Sequence, residues 1–150
     1  MSGTIKNVMA AIDYIENHLQ DNPDLETVAD AVHYSKYHLH RIFTDTTGLT
    51  IQTYMQRRRL TKAAELLVFS DRPILEIALL SGYESQQSFT DIFKVMYKKS
   101  PGKFRKEKEF YPLQLKYVLR EPSANLNKKE WQSKIDFATI ITGERRGEEV

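Results

Sequence analysis

The sequence predicts a mainly α-helical chain, with two helix-turn-helix units joined by a long linker helix and a short C-terminal extension with β-strands. Three observations predict it. Apolar residues recur at spacings of three and four up to residue 108, which marks one buried face per helix. A passage beginning at Leu25 returns, nearly position for position, from Ile74. Beyond residue 108 the apolar period drops to two, the period of a strand. These observations divide the chain into residues 1–108 and an extension, 109–150.

Ile5, Val8, Met9, Ile12, Ile15 and Leu19 predict a helix from Thr4 to Gln20, stopped by Asn22-Pro23. Asp24 caps the next helix, whose stripe is Leu25, Val28, Ala29 and Val32. Ser35 caps a third, from Lys36 to Thr46, ended by Gly48. On it Leu39, Ile42 and Phe43 share one side, and Lys36, Tyr37, His40 and Arg41 share another. Thr50 caps a long helix to Phe69 with Tyr54, Leu60, Ala63, Ala64, Leu66 and Leu67 inside, and Asp71-Arg72-Pro73 breaks it.

The scheme then restarts. Leu25, Val28, Ala29 and Tyr34 meet Ile74, Ile77, Ala78 and Tyr83. After one inserted residue, Glu84, the second set aligns. Ser35, Leu39, Ile42, Phe43, Thr50 and Tyr54 meet Ser85, Phe89, Ile92, Phe93, Ser100 and Phe104. Ser100-Pro101 opens a last short helix with an N-cap and an N1 proline. The repeated unit is helix, short turn, helix. The joining helix spaces the two copies by roughly 30 Å. Successive major-groove exposures on one side of B-DNA lie ~34 Å apart. After residue 108, Leu113, Leu115, Tyr117 and Leu119 alternate with polar residues and predict a strand, and residues 135–141 predict a second.

The net charge of +2 is small, but its distribution is uneven. Residues 1–34 hold one Lys and six acids, residues 35–70 hold six Lys/Arg and two acids, and residues 101–108 hold four Lys/Arg and one acid. Positive charge therefore gathers around the third helix and near residue 105, as a phosphate-facing surface requires. The chain has no cysteine, which excludes disulfides, thiolate metal sites and a cysteine nucleophile. No apolar leader or spanning run is present, as expected of a cytoplasmic protein.

One ordered pattern covers about two thirds of the chain: Leu25-x-x-Val28-Ala29, Ser35-x-x-x-Leu39-x-Arg41-x-Phe43, Gly48, Tyr54, Arg59-Leu60-x-x-Ala63-x-x-Leu66-Leu67, Ile74-x-x-Ile77-Ala78, Gly82-Tyr83, Phe89-x-x-x-Phe93-Lys94 and Pro101-x-x-x-Arg105. In this pattern residues 5–108 resemble the DNA-binding domain of the AraC/XylS transcription regulators. Tyr34-Ser35-Lys36-x-His38-Leu39 and Glu84-Ser85-Gln86-Gln87 resemble the small activators of the Mar, Sox and Rob type. The resemblance implies a sequence-specific activator that acts as a monomer on double-stranded DNA and contacts RNA polymerase, with no enzymatic activity.

The resemblance also implies site residues. Base contacts fall to Tyr37, His40 and Arg41 in the first unit and to Gln86, Gln87, Ser88 and Asp91 in the second. Arg41 suits guanine O6 and N7, and Gln86 or Gln87 suits adenine N6 and N7. Phosphate contacts are expected from Lys36, Arg57, Arg58, Lys103, Arg105 and Lys106, and from the helix starts at Ser35, Thr50, Ser85 and Ser100. Arg59 is expected to be structural. Two residues depart from the family pattern. Asp91 stands where relatives tend to carry arginine. His33 stands at a turn position that usually holds Gly, at a cost of about 1–2 kcal/mol if φ is positive there.

Other chemistry is poorly supported. His38 and His40 lie on nearly opposite sides of one helix and cannot chelate together, and Asp13, Glu16 and Glu26 form no catalytic set. Phosphate loops, nucleophile elbows and metalloprotease spacings are absent, so neither a metal nor a cofactor is expected. Two alternatives remain open: a regulator whose sensor begins at residue 109, and a protein-interaction module whose tail strands recruit a partner or a second copy.

Overall fold

The computed structural model describes residues 3–118. Among them the helices follow in order: α1 (Gly3–Asn17), a 3-10 turn (Leu19–Asp21), α2 (Leu25–Ala31), α3 (Lys36–Thr47), α4 (Ile51–Phe69), α5 (Ile74–Leu80), α6 (Gln86–Tyr97) and α7 (Pro101–Glu107). None of these helices is long and apolar enough to cross a membrane. The first helix ends three residues earlier than the periodicity predicts, because the chain tightens into the 3-10 turn and leaves it through Asn22 at φ 48°.

Five helices, α2, α3, α4, α6 and α7, are capped by a hydrogen bond from a backbone N–H to a side-chain oxygen, whereas α5 starts at Pro73 without one. Asp24 Oδ1 accepts from Thr27, Ser35 Oγ from His38, Thr50 Oγ1 from Thr53, Ser85 Oγ from Ser88 and Ser100 Oγ from Lys103, at 2.8–3.2 Å. The seven-residue α2 and α5 are too short to be stable alone, and packing supplies what propensity cannot. Val28, Ala29, Ile77 and Ala78 are their buried anchors.

Two apolar cores form, one per unit. The first collects Val8, Ala11, Ile12 and Ile15 of α1, Val28 and Ala29 of α2, Leu39, Ile42 and Phe43 of α3, and Ile51, Tyr54 and Met55 of α4. The second collects Leu60, Ala63, Ala64 and Leu67 of α4, Ile77 and Ala78 of α5, Phe89, Phe93 and Tyr97 of α6, and Phe104 of α7. These sets also superpose: Val8, Ala11, Ile12 and Ile15 correspond to Leu60, Ala63, Ala64 and Leu67. The α4 helix is therefore the closing helix of the first unit and the opening helix of the second. Asn7 and Arg59 stand at matching positions on α1 and α4, and each holds its own unit's turn tyrosine. Asn7 Nδ2 donates to the Tyr34 hydroxyl at 2.6 Å, and the Arg59 guanidinium lies 5.2 Å from the Tyr83 ring centre. Arg59 also donates to Asn22 Oδ1, so its guanidinium is engaged within the fold.

The turns match as well. His33 has φ 62° and Gly82, its counterpart, has φ 88°. Gly48 has φ 78° and Lys98, its counterpart, has φ 64°. Besides Asn22 and Lys108, each unit thus contains two matched left-handed positions, and each copy places glycine at only one of these two.

The extended stretch from Leu113 corrects one expectation. Residues 113–118 run without regular structure and pair with no strand among the described residues. Their backbone groups bond to α4 instead, which accounts for polar groups that a ladder would otherwise satisfy. The N–H groups of Leu113 and Gln114 both donate to Thr61 Oγ1 at 3.1 Å, and the N–H of Tyr117 donates to the Tyr54 hydroxyl at 3.1 Å. The other expected strand, residues 135–141, lies outside the described residues.

Candidate nucleic-acid interface

On α3, burial of Leu39, Ile42 and Phe43 turns Lys36, Tyr37, His40 and Arg41 to solvent. Tyr37 is 78% exposed, and Lys36 Nζ sits 5.4 Å from its ring centre. His38 stacks on Tyr34 at 4.5 Å and so belongs to the turn rather than the front. Beside this front lies a shallow cleft of about 460 Å³, walled by the α2 cap Asp24, Glu26 of α2 and Gln52 of α4. Gln52 is absent from the sequence-based set. The signal for it was its place two residues past the Thr50 cap, next to the exposed front. Its counterpart in the second unit is Gly102, which offers no side chain.

On α6, burial of Phe89 and Phe93 turns Gln86, Gln87, Ser88 and Asp91 to solvent. Here the front is partly satisfied by itself. Gln87 Nε2 donates to Asp91 Oδ1 at 2.7 Å, one helical turn away. Ser88 Oγ donates to the Ser85 carbonyl at 3.0 Å. The two fronts are thus built on one frame but offer different chemistry: a cation with an aromatic on α3, amides with a carboxylate on α6.

Three of the arginines expected at phosphate are engaged within the protein. Arg58 is 5% exposed. Its guanidinium takes both oxygens of Glu16 and donates to the Gln114 carbonyl at 2.7 Å. Burial alone would raise the Glu16 carboxyl, but the hydrogen bond and charge of Arg58, with Lys62 and Lys116, hold it below its ordinary value. Arg105 donates to the carbonyls of Leu67, Ser70 and Arg72 at 2.7–3.3 Å, so it completes the C-terminus of α4, where a cation is favoured. Half-buried Arg57 donates to the Leu113 carbonyl at 3.0 Å. Their partners lie 33 to 56 residues away, beyond the reach of any local pattern.

The remaining basic groups stay at the surface. Lys36, Lys103 and Lys106 are exposed. Lys99 Nζ meets Glu107 Oε1 at 2.8 Å, and that hydrogen bond raises the Lys99 amine and lowers the Glu107 carboxyl from their ordinary values. Such a surface pair adds little stability.

Two capped helices with exposed polar fronts, carried on a duplicated frame, define a protein of the helix-turn-helix class. Residues 28–107 match the family model described as a helix-turn-helix domain, more than half of the chain. Over 94 residues the chain is 45% identical to the probable transcription factor PqrA of Proteus vulgaris, covering 61% of this chain and 77% of that protein. Over 119 residues it is 38% identical to the transcriptional regulator Rob of Salmonella typhimurium, covering 79% of this chain but only 40% of Rob. The DNA-binding domain of AdpA, a global transcriptional factor solved in complex with a target DNA, aligns with a TM-score of 0.63 at 25% identity, over 67% of this chain and 90% of that one. The chain belongs to the AraC/XylS family of helix-turn-helix transcription regulators, among relatives of the Mar/Sox/Rob type.

Proposed function

We propose that this chain binds an asymmetric site on double-stranded DNA as a monomer, with α3 and α6 in successive major-groove exposures, and activates transcription from that site through RNA polymerase. The observation that carries the reading is the duplication itself: two capped helices with exposed polar fronts, joined by the nineteen-residue α4. That helix is about 28 Å long, close to the ~34 Å repeat of the groove. Arg41 pairs with guanine, Gln86 pairs with adenine, and Tyr37 and His40 add stacking or methyl contact with a single hydrogen bond each. Gln87, Ser88 and Asp91 complete the second front, where a carboxylate favours the amino group of cytosine. Lys36, Lys103 and Lys106, with the N–H groups at the helix starts near Ser35, Thr50, Ser85 and Ser100, hold the phosphates.

Selection of bound sequences from a random duplex pool, followed by salt titration on the winner, tests this. Recovery of one bipartite motif spanning about two helical turns supports the proposal. Uniform weak binding to all sequences, or none, overturns it.

A further inference from the structure

We infer that residues 110–117 form a strap that sets the spacing between the two reading helices, so that Tyr117 and Thr61 are positioning residues for DNA recognition although neither lies on a reading front. This rests on the proposal that α3 and α6 read one site together.

The strap spans both cores. Phe110, Tyr111 and Leu113 pack on the second core, while Tyr117 is buried in the first. The Tyr97 hydroxyl donates to the Tyr111 carbonyl at 3.0 Å, which fastens one end to α6. The Tyr117 hydroxyl donates to the Thr47 carbonyl at 3.1 Å, which fastens the other end to the last turn of α3. Between them Arg57, Arg58 and Thr61 of α4 hold the strap's backbone. Lys116 adds an ion pair to Asp13 of α1 at 2.8 Å.

A single helix is a poor ruler by itself, since a slight bend in α4 would swing the two fronts relative to each other. The strap and a second tie brace it. Tyr54, Arg57, Arg58 and Thr61 occupy about 100° of the α4 surface. Arg59, which joins Asn22 of the first unit to Tyr83 of the second, lies about 150° round from their centre. Beside Arg59 the chain also meets at Gly82, where an added Cβ would stand 3.1 Å from the Gln20 carbonyl oxygen. The two units are therefore tied on nearly opposite sides of α4, and the strap is the longer of the two ties. Each base pair added between half-sites moves the second groove by about 3.4 Å and a tenth of a turn. A braced pair should reject that shift, and an unbraced pair should follow it.

Two conservative changes loosen the strap without emptying a core. Thr61→Val removes the acceptor for two strap N–H groups, and Tyr117→Phe removes the bond to Thr47. The test uses the double variant of the full chain in two measurements. In the first, affinity is measured on the selected site with the spacer lengthened or shortened by one base pair. The wild type should lose about tenfold, and the variant about threefold or less. In the second, spin labels on Asp45→Cys and Val95→Cys, exposed and equivalent positions of α3 and α6 in a chain without native cysteine, report the distance between the fronts. The distance distribution should widen by about twofold in the strap variant. A lowered melting temperature with unchanged spacer discrimination and unchanged distance width would overturn the inference, since the strap would then only stabilise the fold. If the wild type recovers no specific site, the DNA-reading proposal fails, and the label distances still decide whether the strap positions the helices.

Discussion

Where α3 carries Arg41, α6 carries Asp91 at the equivalent position, and the two units differ inside as well. Around the first helix the frame includes an ion pair, Arg58 with Glu16, between α4 and α1. Buried phenols occur in both units: desolvation pushes Tyr54 up to about 12 and raises Tyr97 as well. Around the second helix the core is a run of packed rings, in which Phe93 lies within 4.6–5.5 Å of Phe89, Tyr97 and Phe104. One duplicated frame has thus been filled in two ways. The first unit presents a cation outward on a polar-braced base, and the second presents amides and a carboxylate outward on an aromatic base.

The largest expected effect tests the interior side of this contrast. Arg58→Ala leaves the mostly buried Glu16 carboxylate with only the longer contact to Lys62 at 3.7 Å, and should cost up to about 3–5 kcal/mol in denaturant unfolding. Lys108, the counterpart of Arg58 in the second unit, is exposed, and its change to Ala should stay within about 0.5 kcal/mol. Equal losses would mean the polar brace is no property of the first unit. The pair also has a pH signature. Glu16 is held below its ordinary 4.5, so its contribution is complete above that value and fades as pH falls through the lower folded value. Glu16→Gln should therefore flatten the acid limb of the stability curve below about pH 4.5 and leave its shape at neutral pH unchanged.

The next effect tests the outward side. Arg41→Ala should remove about 1–3 kcal/mol of discrimination at one base pair, seen as a relaxed position in the selected motif. Asp91→Asn should act with the opposite sign. It removes a negative charge from the front proposed to approach DNA, so binding to every sequence should tighten while the preference opposite α6 blurs. If Asp91→Asn weakens binding as much as Arg41→Ala does, the carboxylate holds DNA as strongly as the guanidinium, and the charge contrast between the fronts carries no difference in affinity.

What could be read from the sequence divides along the same physical line. Caps were legible because each depends on residues within one turn of each other: Ser35 needs only His38, and Ser100 only Lys103; the repeat was legible because it restates these local signals in the same order. The exposed fronts followed, since burying Leu39 and Phe43 leaves Lys36, Tyr37, His40 and Arg41 nowhere else to point. The arginine row was not legible, because Arg57, Arg58 and Arg105 are claimed by Leu113, Glu16 and the end of α4 only after the chain has closed on itself. The strap misled for a related reason. Period-two alternation predicts burial of Leu113, Leu115 and Tyr117 together, but Leu115 is exposed and Gln114 is buried in its place. The backbone bonds to Thr61 and Tyr54 of α4, rather than a neighbouring strand, set which side chains turn inward.

The smallest effect tests the turns, where the two copies trade glycine for a side chain. His33 holds φ 62°, which costs an L-residue about 1–2 kcal/mol. His33→Gly removes that cost but adds backbone freedom to the unfolded chain, worth about 0.5–1 kcal/mol in the other direction. The net gain should be about 0.5–1 kcal/mol, because the exposed His33 side chain gives up little packing. Gly82→Ala at the matching turn should go the other way. It adopts the same left-handed backbone at φ 88° and sets its Cβ 3.1 Å from the Gln20 carbonyl oxygen, a backbone atom that cannot swing aside. Opposite signs at two equivalent positions would show that the first turn tolerates a side chain only because nothing packs over it. In the second, glycine would be required by the close approach to Gln20 as well as by the turn.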